Sequence, residues 1–277
     1  MNFLKFRFYK LDRQPLVMRL GVFISSLLLL WIPFALPIYR FVGDPNWVNI
    51  LTLGILYLEF LALVNIWGRY IYRQPLFRRY GLVITRKNGR DLLLGLSLGL
   101  VCLLALLSLE SALGWLAWQS PSVHFLRIAL EGLAVAVGIG FAEELLFRGW
   151  LLDELQRDYS LGVATGVNAF LFAGVHFIKP VGEMLRTLPA FPGLFLLGLT
   201  LVWAKNVGKG KLGLPMGFHG GLVWGYYLVH VGQLIEYQKK VPVWVTGIDA
   251  NPLAGLMGMV WLGTIALGMK KVFSTGG

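Results

Sequence analysis

The sequence has one cysteine, few charges, and a marked shortage of acidic residues. Cys102 stands alone among 277 residues, so the chain forms no intramolecular disulfide and no cysteine-based zinc site. It lies in an apolar run, where a buried thiol is inert packing. Charged residues make up 14% of the chain, against about 25% in an ordinary soluble domain. There are 14 Asp and Glu against 25 Lys and Arg, a formal charge of +11. In a soluble protein that balance would suggest nucleic acid. Here no RNA- or DNA-binding motif is visible, and the basic residues fall mainly between hydrophobic runs. A lipid bilayer, not nucleic acid, is therefore the expected partner. Long repeats and low-complexity segments are also lacking. The missing inverted repeat argues against a transporter built around a proton-coupled glutamate.

What the sequence has in abundance is apolar length. It is 57% hydrophobic, with a mean hydropathy of +0.68. A membrane-spanning helix needs about 20 apolar residues at 1.5 Å rise each. Candidate spans fall at about 20–42, 49–70, 91–114, 125–149, 161–178, 188–205, 212–230 and 252–270. The pattern predicts an all-α polytopic membrane protein, a bundle of about eight transmembrane helices. Its expected organisation is a basic segment with three helices over 1–124, then a membrane core with five helices over 125–277. The first run follows Lys5, Arg7, Lys10, Arg13 and Arg19. It is too long for a signal-peptide core and lacks a small-residue cleavage site, so it reads as a retained helix. Phe3, Phe6, Phe8 and Tyr9 among those charges suit a membrane interface.

Charge bias orients the chain. With a cytoplasmic N-terminus, nineteen of the 25 Lys and Arg lie in inside segments. The outside six are Arg40, Arg127, Lys179, Arg186, Lys239 and Lys240. Cytoplasmic loops carry such an excess, so eight spans with both termini cytoplasmic is the expected localisation. The basic loop 69–90 then lies inside and the loop 231–251 outside.

Ionisable groups within spans cost roughly 2.5–3.5 kcal/mol each and mark function by default. Glu59, Glu110 and Glu131 are expected to be structurally paired, Glu131 with Arg127 at i,i+4. The fourth span carries more: FAEELLFRGW places Glu143, Glu144 and Arg148 among apolar neighbours. Glu144 and Arg148 share a helix face and can pair. Glu143 points about 100° away around the helix and has no such partner, which leaves it available for general base or acid work. His176 ends NAFLFAGVHF in the fifth span, and His219 lies in PMGFHGG in the seventh. Neutral imidazole serves as base, oxyanion donor or metal ligand. His230 lies about 16 Å further along the His219 helix and reads as interfacial. Gly213, Gly217, Gly221 and Gly225, each four apart, form a stripe that lets a neighbouring helix approach His219 closely.

EELLFR fits an EExxxR pattern, FAGVH an FxxxH pattern that includes Phe172, and the His219 segment the start of an HxxxN pattern. In this order they resemble the CPBP family of intramembrane proteases, which includes CAAX prenyl endopeptidases and the bacterial Abi proteins. The resemblance covers about residues 125–230. It implies an endopeptidase acting on a membrane-associated peptide or protein. Glu143 would activate the attacking water, His176 would assist it, and His219 would stabilise the oxyanion. Glu144 and Arg148 would be the supporting pair. Members have been described both as metalloproteases and as metal-free; a divalent metal such as zinc would sit on Glu143, His176 and His219. No HExxH motif is present. The third pattern departs from the family, because Val223 stands where Asn is expected. Asn168 is a candidate replacement donor. The departure also makes a non-proteolytic scaffold or chaperone-like relative the alternative reading. Strict span limits would put Glu143 and His176 near opposite faces. They meet if the fourth helix runs on towards Arg157 and the fifth starts nearer Thr165.

Overall fold

The computed structural model describes residues 11–275; Lys5, Arg7, Lys10 and the Phe3, Phe6, Phe8 and Tyr9 cluster lie outside them. The described chain is nearly all α-helical, with one short two-stranded ribbon. The described residues divide into two compact units, 11–80 with 153–159, and 81–152 with 160–275.

The first unit holds α1 (Leu16–Phe41) and α2 (Pro45–Trp67, continuing as a π-helical turn, Gly68–Tyr72). Asp44 caps α2 by accepting from the Asn46 and Trp47 amides, and Pro45 supplies the preset first helical position. The helices pack through Phe23, whose ring stands edge-on to Phe60 and Trp67. Arg19, counted above as a flanking charge, is buried. It binds Glu154 at 2.8 Å and Asp158 at 3.0 Å, while Tyr72 donates to Glu154 at 2.6 Å. A buried cation this well partnered is held by its own ion cluster.

The second unit contains α3 (Arg86–Ala112), β1 (Leu116–Trp118) and α4. α4 runs Phe125–Glu144, continues as a π-helical segment, Leu145–Leu151, and ends as α-helix at Asp158. Next come α5 (Leu161–Val175), α6 (Val181–Thr187), α7 (Phe191–Val207), α8 (Gly213–Val231), β2 (Ile235–Tyr237) and α9 (Leu256–Thr275). α8 packs chiefly against α3 and α4, and α7 against α5 and α9. The glycine stripe explains the first contact. A Cβ on Gly217 would stand 2.0 Å from the Leu92 carbonyl oxygen, and one on Gly221 would stand 2.2 Å from that of Leu96. Backbones this close leave no room for a side chain, and gain dispersion contact along the whole seam. Asn88 fixes the register, donating to Val83 O and accepting from the Gly213 amide.

All eight predicted runs fall on helices, but six helices are long and apolar enough to cross a membrane. α5 is shorter, at 15 residues. α8 has the length, yet Pro215, two histidines and five glycines dilute its hydropathy. Both bear on the candidate site, α5 ending at His176 and α8 carrying His219. Two expected pairings also differ. Glu131 pairs with Arg127 at 2.7 Å. Glu59 keeps a buried oxygen with no hydrogen-bond partner among the described residues, and Glu110 meets only the Tyr237 hydroxyl, at 3.4 Å. Neither makes an ion pair among the described residues. The β1–β2 ribbon was not foreseen, since each strand is three residues long.

Replacing Gly217 by Val should cost about 1–3 kcal/mol through overpacking. Gly138→Ala, where nothing lies within 4 Å of the added carbon, should be neutral or slightly stabilising. Thermal unfolding of both in one detergent checks this; equal midpoints would contradict the close α3–α8 seam.

Candidate active site

Helix lengths set the level at which the polar groups meet. Residues 143–158 and 161–176 are arms of equal length on either side of a two-residue break. The two arms bring Glu143 and His176 to one level. The fourth helix does run on past Arg157, to Asp158, while the fifth starts at Leu161. His176 caps the C-terminus of α5. α8 adds His219 from the face turned to α4 and α5, about 200° around the helix from Gly217 and Gly221 of the stripe against α3.

The convergence is tight. His176 Nε2 lies 4.0 Å from Glu143 Oε2, and His219 Nε2 lies 3.9 Å from the same oxygen. That oxygen is buried and has no hydrogen-bond partner among the described residues. The other ring nitrogens are committed. His176 Nδ1 lies 2.7 Å from the Phe172 carbonyl oxygen, and His219 Nδ1 lies 2.9 Å from Glu144 Oε1. A carbonyl oxygen only accepts, so His176 Nδ1 carries the proton. Glu144 is ion-paired, so its oxygen accepts from His219 Nδ1 as well. In their neutral forms both histidines therefore turn an Nε2 lone pair towards Glu143.

Glu144 and Arg148 lie behind this centre, both fully buried. Arg148 Nη1 donates to Glu144 Oε1 at 3.0 Å, and Nη2 donates to Gly198 O at 3.2 Å. The guanidinium also sits 4.2 Å over the Phe172 ring, a desolvated cation–π contact worth about 2 kcal/mol. Phe172 packs edge-on against His176 and His219 as well, so one ring wedges three polar groups apart. Asn168 lies on the far side of the π-helical segment, where its Nδ2 donates to Phe147 O at 2.7 Å. It does not line the cavity described next.

Sequence reading missed Lys205, which was counted as a loop charge. It is buried, and its Nζ donates to Arg148 O at 2.6 Å. Lys205 and Asn168 thus satisfy two consecutive carbonyls of the π-helical segment that carries Arg148, which is how such a widened turn is kept. Only the position of Lys205 at the end of an apolar run hinted at burial.

Glu143, His176 and His219 open into one end of a cavity of about 360 Å³. Its walls are mostly apolar, with Leu103, Ile139, Leu197 and Trp261 among them; Cys102 and Val223 line it too. The Val223 position is thus an apolar wall of the site. The oxygen and two nitrogens are chemically suited to zinc, but their spacing is not. Two ligands at about 2.0–2.2 Å from a tetrahedral zinc stand roughly 3.3–3.5 Å apart. Among the described residues no group of three His, Cys, Asp or Glu is arranged to hold an ion.

Residues 125–225 match the family model for type II CAAX prenyl endopeptidase Rce1-like proteins. The match contains Glu143, Glu144, Arg148, His176 and His219, and ends just past Val223. Over this segment the chain is similar to the CPBP/CAAX protease family. No curated protein and no solved structure matches the chain. Six apolar helices among the described residues, together with this similarity to a membrane protease family, support an integral membrane protein. The polar site sits between helices of the second unit, the place where bundle folds build such sites.

Arg148→Ala would strand the Glu144 carboxylate in an apolar interior. Breaking a buried pair in this way costs about 3–5 kcal/mol, so the folded fraction in detergent should fall sharply. A variant as stable as the parent but inactive would show that Arg148 acts on the chemistry itself.

Proposed function

We propose that this chain is an intramembrane endopeptidase that hydrolyses a peptide bond of a membrane-associated substrate with a glutamate-activated water. The observation that carries the reading is the convergence of Glu143 Oε2 with the free nitrogens of His176 and His219 at one end of an apolar cavity. Glu143 Oε2 and His176 Nε2 are both acceptors. They suit the two hydrogens of one water, whose lone pair then faces the scissile carbonyl carbon. On attack one water proton passes to Glu143 and the new C–O bond forms. Glu143 returns that proton to the amide nitrogen as the C–N bond breaks, which leaves a carboxylic acid and an amine.

His219 has the opposite task. With Nδ1–H committed to Glu144, it donates from Nε2 only when both nitrogens are protonated. Glu144 then bridges two cations, Arg148 and His219, and the imidazolium faces the developing oxyanion. Glu143→Gln keeps size but removes the proton acceptor. Hydrolysis of a membrane-embedded reporter peptide should fall by about 10²–10⁴, with unfolding temperature nearly unchanged. His176→Ala and His219→Ala should fall comparably, and the losses should not add. Parental turnover by Glu143→Gln would overturn the mechanism. Val223 favours the second reading, a scaffold or chaperone-like relative. That reading gains if no peptide is cleaved by the parent while Glu143→Gln still abolishes a cellular phenotype.

The same reading includes the topology: eight spans with both termini cytoplasmic, the first three over 1–124 and the catalytic five over 125–277. Single cysteines placed at positions 79 and 240 should label from opposite sides of sealed vesicles. Labelling of both from one side would exclude it.

A further inference from the structure

A second cavity of about 430 Å³ adjoins the catalytic one and shares Leu103, Tyr226 and Pro252 as walls. It lies towards the C-terminal end of α8. Its character differs, because hydrogen-bonding side chains line it: Gln119, Tyr226, His230, Gln233 and Tyr237. His230 stacks flat on Tyr226, with centroids 5.3 Å apart and 10° between planes. Tyr226 thus stands between the two cavities, and His230 holds its ring. Tyr237 is anchored from behind by the buried Glu110. Burial and that neighbouring carboxylate push the Tyr237 hydroxyl above its ordinary range, so it stays a protonated donor.

The ribbon beside this cavity is built to take a third strand. Gln119 N donates to Leu234 O, and Gln238 N donates to Trp115 O, both at 2.8 Å. With Ala117 opposite Glu236, the bonded pairs are 115 with 238, 117 with 236, and 119 with 234. Antiparallel alternation then turns the backbone N–H and C=O of Ile235 and Tyr237 outward, away from β1. The side chains of those same two residues line the cavity. An extended peptide that pairs along this edge has its neighbouring side chains in reach of Gln119, His230 and Gln233.

We propose that this second cavity binds an extended, polar flank of the polypeptide substrate, paired by backbone hydrogen bonds to the outer edge of β2. The assignment rests on the proteolytic reading for the catalytic cavity. His219 and His230 are about 16 Å apart along α8, and an extended chain covers that span in about five residues. The segment recognised lies about five residues from the scissile bond. Recognition through backbone groups tolerates many sequences, while Tyr226 confines the apolar part of the substrate to the first cavity.

The test uses the full chain in detergent and two fluorescent reporter peptides with one scissile segment. The short reporter ends three residues either side of the bond; the long one extends eight. The long reporter should show a KM at least 10-fold lower. Ile235→Pro deletes one outward N–H while sparing the β1–β2 bonds. It should raise KM about 10-fold for the long reporter and leave kcat/KM for the short one unchanged. N-methylation of the long reporter should weaken it at alternate residues only. Equal KM for the two reporters, or an equal effect of Ile235→Pro on both, would overturn the proposal. If neither reporter is cleaved, the proteolytic reading fails. Fluorescence anisotropy then still reads binding: tighter, Ile235-dependent binding of the long peptide supports the site, and equal binding of both removes it.

Discussion

One carboxylate oxygen organises the polar site of the second unit. Glu144 Oε1 accepts from Arg148 on its own helix and from His219 on α8. It is fully buried, so these charge-assisted bonds work in a low-dielectric setting where they are strong and where losing either partner is costly. Through this oxygen the orientation of His219 is tied to α4. Because Nδ1 is bound there, Nε2 is the nitrogen presented to Glu143. The tautomer, and with it the chemistry open to the histidine, follows from a group one residue away from the proposed base.

That oxygen can be shared only because three helices come unusually close. The glycines of α8 let the α3 backbone approach to distances that exclude a side chain, and Gly140 on α4 does the same against Met216. The π-helical segment contributes in another way. It begins directly after Glu144 and carries Arg148. Its widened turn is supported by Asn168 and Lys205 through consecutive carbonyls. Phe172 completes the arrangement, with one ring against Arg148, His176 and His219. Backbone approach and a single aromatic wedge thus act together with the hydrogen bonds of Glu144 and Arg148.

The two cavities differ in their lining. The first is apolar except at its reactive end, and suits a segment taken from lipid. The second is lined with amides, imidazole and phenol and lies beside a strand edge. Between them Tyr226 belongs to both walls. Val223, which departs from the family pattern, adds to the apolar lining of the first.

The sequence by itself determined the helices, the membrane habit and the chemical identities at the centre. Apolar runs of some 20 residues have few alternatives in water or lipid, and i,i+4 spacing alone aligns Glu144 with Arg148. It also showed which carboxylate lacks a local partner. Tertiary structure decided the rest, because distance between helices is not periodic in sequence. That Glu143 and His176 stand level depended on where α4 ends and α5 begins, boundaries set by packing and by a two-residue break. The burial of Arg19 and Lys205 depended on partners 135 and 57 residues away. The three-residue strands β1 and β2 are too short for any periodicity, and exist because residues at 116 and 237 meet above a shared apolar cluster. The membrane helices are local in origin; the site is a long-range contact, and only the folded chain can make it.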